Sequence, residues 1–311
     1  MSKKNIVLAT LSISIMLVVL SSPAKYVASC YQGLMLWATR LVPTLIPFCF
    51  LTSVLSHSGL PAVLSKRIGG VFSKIYGCSD IGSYVYLMSI ISGYPVGADT
   101  LRELHSSRSI STRDVSIIST FASTSGPIFV IGTVGVGMFS SLKTGIVMYV
   151  VHILSALLNG VIYRKSYIPS RHTISSTKCD WLAVATSSTL KSTLMVGVMV
   201  TIFYLLADIL VSLGVVDLLS SILPIPHDIS YAILTGVVEM TRGCLAISRI
   251  DSVWSIPIAN ALISLGGGCI GMQSISLLKD TGVKTSSLIL PKVTHALITL
   301  ALSYITFGYV I

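Results

Sequence analysis

The sequence predicts an all-α, polytopic membrane protein with about seven to eight transmembrane helices, additional re-entrant or broken segments, and two inverted repeats. Three observations carry this prediction. Hydrophobic residues make up 53% of the 311-residue chain and charged ones only 10%, whereas soluble domains carry about 25% charged residues. Apolar runs of roughly 20 residues, the length needed to cross a bilayer, recur along the chain. Two apolar runs are interrupted by glycine, proline or charge at matching places in the two halves.

Residues 3–25 read KKNIVLATLSISIMLVVLSSPAK, a basic start followed by an apolar stretch from Ile6 to Leu20. A retained transmembrane helix within residues 1–25 is expected, rather than a cleaved signal peptide, because many spans follow and Lys25 and Tyr26 separate the apolar core from Val27-Ala28-Ser29-Cys30. Further spans are expected at 41–60, 115–139, 143–163, 193–213, 255–278 and 286–310. Segments 28–40, 82–100 and 229–248 are apolar but interrupted, the last two by GYPVGAD and GVVEMTRGC.

Charge bias orients these segments. Were 82–100 to cross the membrane, the basic stretches KRIGGVFSK (66–74) and RELHSSRSISTR (102–113) would face opposite sides. The positive-inside rule places both in the cytoplasm, which makes 82–100 a re-entrant or broken hairpin. The same treatment of 229–248 keeps Lys279 and Lys284 inside and leaves 214–228, without Lys or Arg, outside. Each half then reads helix, broken segment, helix, helix. TSGPIFVIGTVG followed by LK…TG in one half matches LGGGCIGMQSIS followed by LK…TG in the other, with His152 and His295 in the final helices. Three crossings per half invert one repeat relative to the other. The expected organisation is a first repeat at 26–165, a basic cytoplasmic linker at 166–191 and a second repeat at 192–311.

The formal charge of +10 is accounted for by short basic stretches between apolar runs, so no nucleic-acid partner is expected. The six cysteines show no paired spacing, and no metal site, cofactor or disulfide framework is expected. No P-loop, H-E-x-x-H or G-x-S-x-G motif occurs, so catalysis has no positive signal and no catalytic residue is assigned.

Irregular backbone inside a bilayer survives only where it is buried in protein or lines a wet cavity. Pro95 lacks a backbone donor and restricts Tyr94, while Gly93 and Gly97 permit close backbone approach. Ser123, Thr124, Ser125 and Gly126, before Pro127, form a second polar break, answered in the other half by the glycines 266–268 and by Gln273. Glu239 and Arg242 lie three apart in the second interrupted segment, on one face if helical, where ionisable residues are expensive. Asp99, Arg102 and Glu103 close the first interrupted segment. All eleven residues from Gly93, Tyr94, Pro95, Gly97, Ser123, Thr124, Ser125, Gly126, Glu239, Arg242 and Gln273 are candidates for binding a solute.

SGYPVGA, STSGPIFVIGTVGVGMF, EMTRGC and GGGCIGMQ, in this order, resemble the YlbJ-type sporulation integral membrane proteins of the nucleoside recognition, or Gate, domain family. The resemblance runs from about residue 30 to the C-terminus. It implies two Gate-like repeats with re-entrant elements, as in concentrative nucleoside transporters, and a multipass protein of endospore formers. It further implies movement of dipicolinate toward the forespore, across the outer forespore membrane. Arg242 stands where the family pattern Glu-x-Thr-Asn-Gly has Asn. The expected function is a transporter or permease for a small, anionic solute in the lipid bilayer, with homo-oligomerisation compatible. The alternatives are a nucleoside-type transporter and a non-transporting scaffold of spore envelope assembly.

Overall fold

The structure, a computed structural model, describes residues 3–166 and 181–309. Every regular element among them is helical. Helix α1 (Lys3–Ser21) ends where Pro23, which has no N–H to donate, opens α2 (Pro23–Leu36). A π-helical turn, Trp37–Leu41, joins α2 to α3 (Val42–His57). Short helices α4 (Leu60–Leu64) and α5 (Gly70–Tyr76) precede α6 (Gly82–Ser92) and α7 (Val96–Ser106). Helix α8 (Thr112–Ile118) starts at a reciprocal cap between Ser111 and Asp114. It gives way to a non-helical stretch, then to the π-helical segment Ile128–Val136 and to α9 (Leu142–Ile162).

The second half begins with α10 (Trp181–Ser212), followed by α11 (Val215–Ile222). Helices α12 (His227–Val238) and α13 (Met240–Ile247) follow, then α14 (Ser255–Leu265), α15 (Gly267–Leu278) and α16 (Ser286–Tyr309). Part of the expected linker, residues 181–191, is thus the first third of α10, and 167–180 lie outside the described residues.

Among the described residues, four helical stretches are long and apolar enough to cross a bilayer, and up to six if each of two bent pairs is one span. One anticipated span, 115–139, is corrected by the structure. That run is not one span, because the chain is non-helical from 119 to 126. Hydropathy averages over Ser123-Thr124-Ser125-Gly126-Pro127, but the backbone does not continue through it.

The polarity of surface and interior is reversed relative to a soluble protein. Leu154, Leu158, Leu190, Leu194 and Leu297 are among the exposed side chains, whereas His152, Asn159, Asn260, Gln273 and Thr299 are fully buried. Hydrocarbon solvates the outer leucines, and the inner polar groups must satisfy one another.

Both interrupted segments are hairpins. A side-chain carbon on Gly97 of α7 would lie 3.0 Å from the Ser89 hydroxyl of α6, although the two residues are eight apart. In a continuous helix they would be separated by about 12 Å. Likewise Gly243 of α13 faces Gly236 of α12 so closely that a β-carbon there would press into the Gly236 Cα and sit 2.8 Å from the Ala232 carbonyl oxygen. With arms of 8 to 12 residues, each hairpin reaches about 12–18 Å, short of the roughly 30 Å hydrocarbon thickness. The first interrupted segment therefore folds back on itself, the hairpin geometry expected from the charge bias.

Candidate substrate site at the paired breaks

In each half the hairpin tip rests against a second break. Gly93 closes α6 with φ 75°, ψ −161°, and the Tyr94–Pro95 peptide is cis. The Gly93 Cα packs against the Gly126 backbone, where a β-carbon on Gly93 would press on the Gly126 nitrogen. Glycine is required at both properties, left-handed torsion and backbone approach. The Ser89 hydroxyl fastens the contact, bonding to the Thr124 hydroxyl at 2.9 Å and accepting the Thr124 N–H at 3.2 Å. In the second half, Gly266 and Gly267 both have positive φ. A β-carbon on Gly267 would lie 2.9 Å from the Gly236 carbonyl oxygen and 3.2 Å from the Met240 nitrogen. The second hairpin tip is Glu239, whose carboxylate accepts the N–H groups of Thr241 (3.2 Å) and Arg242 (2.9 Å) and so caps α13.

The final helices of the two halves tie these breaks together. The Ser125 N–H donates to His152 Nε2 at 2.9 Å, so Nδ1 carries the proton and donates to the Ser264 hydroxyl at 2.7 Å, two residues before Gly266. The His295 ring lies 5.0 Å from that of His152, tilted by 33°, and reaches the His152 carbonyl and the Ser155 hydroxyl, both at 3.1 Å. Thr299 joins Ser155 and Ser264. Asn159 donates to the carbonyls of Thr120 and Pro291. Both histidines are therefore engaged in holding the two breaks in register.

Two cavities flank this bridge. A cavity of about 80 Å³ is lined by Tyr94, Ser125, Gly126, Glu239 and Gln273, all expected from the sequence, together with Thr241 and Cys269. Gln273 is completely buried; its amide N–H contacts Cys269 at 3.3 Å, and its carbonyl oxygen has no partner. A buried acceptor left open in this way is aimed at a ligand or a water. A larger cavity of about 340 Å³ is lined by Ser119, Ser123, Gly267, Gly268, Ser274 and Lys292 among mainly apolar neighbours.

Lys292 was not anticipated, and it is the most consequential residue here. It lies in α16, is only 8% exposed, and donates to the Tyr94 hydroxyl at 2.6 Å and to the Ser123 carbonyl at 2.8 Å. Its ammonium stands 3.9 Å above the Tyr94 ring. No carboxylate lies within 4 Å of it among the described residues. The signal was present in LILPKVTHALITL, a lone cation inside an apolar run.

The remaining expected residues fall elsewhere. Gly93, Pro95, Gly97 and Thr124 build the backbone contacts rather than the cavity linings. Arg242 is turned away from Glu239. Glu239 is extended, not helical, so the two side chains do not share a helix face; Arg242 instead ion-pairs with Asp208 of α10 and lies 4.7 Å over the Tyr204 ring. Both partners are about one-fifth exposed. Replacing Arg242 with Met is expected to destabilise the protein by about 1–3 kcal/mol through the stranded Asp208, and adding Asp208→Asn should restore most of it. Thermal melts of the four proteins in a double-mutant cycle read this coupling, and additive losses would remove the pair.

An all-helical membrane protein with paired hairpins and broken helices is the class that the fold and these cavities define. Residues 38–142 match the family described as nucleoside recognition (Gate), covering the first hairpin and the Ser-Thr-Ser-Gly break. The chain is similar to the sporulation integral membrane protein YlbJ of Bacillus subtilis, with 23% identity over 91% of this chain and 78% of that protein. No solved structure matches it.

Proposed function

We propose that this protein carries a small anionic solute across a membrane, binding it between the hairpin tips and the broken helices. The observation that carries the reading is Lys292, a buried cation at the wall of the larger cavity without a carboxylate partner among the described residues. Holding an unpaired ammonium in a low-dielectric interior is costly, and an anion arriving beside it offsets that cost. Its wall partners, Tyr94 and Ser123, belong to the two breaks of the first half, so solute and backbone breaks meet at one place. The element order supports two inverted repeats, each contributing one hairpin and one broken helix. It is a carrier, not an enzyme.

The similarity to a sporulation membrane protein supports a narrower reading, dipicolinate movement toward the forespore across the outer forespore membrane. An aromatic dicarboxylate suits an apolar cavity of this volume with a cation at its wall. A nucleoside-type solute has support of its own, because the smaller cavity presents two acceptors, the Glu239 carboxylate and the open Gln273 oxygen. Uptake of labelled pyridine-2,6-dicarboxylate into vesicles containing the purified protein separates them. Accumulation above protein-free vesicles, displaced by unlabelled aromatic dicarboxylate and not by uridine, is expected. Displacement by uridine supports the nucleoside-type reading, and absence of any uptake overturns the carrier.

A further inference from the structure

Away from the solute cavities, α3, α7 and α10 converge on a second polar spot. A cavity of about 10 Å³ lies there, lined by Ser53, Ser56, Asp99, Thr100, Glu103 and Ser188. Its charge does not balance. The Asp99 carboxylate is saturated: one oxygen takes two donors from Arg102, at 2.9 and 2.6 Å, and the other takes Ser188 at 3.0 Å and Ser192 at 2.8 Å. Glu103 receives only the Ser188 hydroxyl, at 3.1 Å, and a hydroxyl has one proton to divide between the two carboxylates. No basic side chain pairs with Glu103 among the described residues. Two carboxylates and one guanidinium leave one negative charge over.

A separate observation points to a ligand. The Ser53 side chain is 6% exposed and its hydroxyl oxygen has no hydrogen-bond partner, although it lines the same cavity. Buried hydroxyls are ordinarily satisfied. Here an oxygen acceptor, a spare carboxylate and space for one water-sized occupant coincide.

We infer that this cavity binds a single monovalent cation, sodium, through Glu103, Ser53 and neighbouring hydroxyl oxygens. Oxygen ligands suit a hard cation, and one spare negative charge matches one positive charge. The position gives the ion a consequence. Asp99 N–H bonds to the Pro95 carbonyl at 3.1 Å, so the cavity sits within two turns of the hairpin tip that presents Tyr94. An ion joining α7 to α3 braces the arm on which Tyr94 is carried.

The test is thermal melting of the purified full-length protein in detergent, with sodium replacing choline at constant ionic strength and pH. Sodium is expected to raise the melting temperature by about 3 °C or more at saturation. Ser53→Ala and Glu103→Gln should each abolish that rise, Ser53→Ala while leaving the sodium-free melting temperature near the parental value. The Ser53 variant keeps the test decisive if Glu103→Gln does not fold. A parental protein indifferent to sodium overturns the site, as does a Ser53→Ala protein that responds like the parent. A melting temperature that follows acidification and not sodium overturns it in favour of a proton on Glu103. None of these readings requires transport, so they stand or fall apart from the carrier assignment.

Discussion

Replacing Lys292 with methionine is expected to reduce uptake of an aromatic dicarboxylate by about 10- to 100-fold while the protein accumulates in the membrane as before. A hydrogen bond to a charged group is worth about 1.5–3 kcal/mol, and each 1.4 kcal/mol is about tenfold in affinity. Stability should hold or rise, because the substitution deletes a buried charge that has no ionic partner among the described residues and methionine fills similar space. The partners left behind are tolerant: the Tyr94 hydroxyl keeps the Ile263 carbonyl at 3.5 Å, and the Ser123 carbonyl faces a cavity. Lys292→Arg, which retains charge with a larger head, should recover part of the uptake. Parental uptake by the methionine variant would take Lys292 out of the site and leave Gln273 and Glu239 as the determinants.

A second large effect is expected at Gly93, this time on folding. Gly93 has φ 75°, where any β-carbon costs about 1–2 kcal/mol. An added methyl would also lie 2.8 Å from the Gly126 Cα and 3.1 Å from the Ser125 carbonyl carbon, both backbone atoms that cannot swing aside. Gly93→Ala should therefore destabilise by about 3 kcal/mol or more, lowering the melting temperature by roughly 5 °C or more. Gly126→Ala provides the contrast. Its φ is not left-handed and its nearest neighbour, the Ser92 carbonyl oxygen, would be 3.1 Å away, so a shift of a few tenths of an ångström accommodates it. Equal melting temperatures for Gly93→Ala and the parent would disprove the close backbone contact. The structure makes Gly93 a packing contact between two breaks before it is a cavity wall.

The membrane class, the helical content and the two interrupted segments were legible in the sequence, because hydropathy and the torsional demands of glycine and proline are local properties. SGYPVGA announces a break wherever it stands, and the positive-inside bias makes that break a hairpin. Five of the expected binding residues, Tyr94, Ser125, Gly126, Glu239 and Gln273, do line one cavity. Partnership is another matter, since it is set by what lies opposite across the fold. Arg242 looked like the counter-charge to Glu239 at a spacing of three, yet Asp208, from a different helix, holds it. Lys292 looked like one more residue of an apolar helix, yet it meets Tyr94 across 198 positions. Spacing along a chain determines which face a residue occupies only while the helix continues. At Glu239 and at Ser123–Pro127 the helix stops, and there tertiary contact alone decided which groups meet.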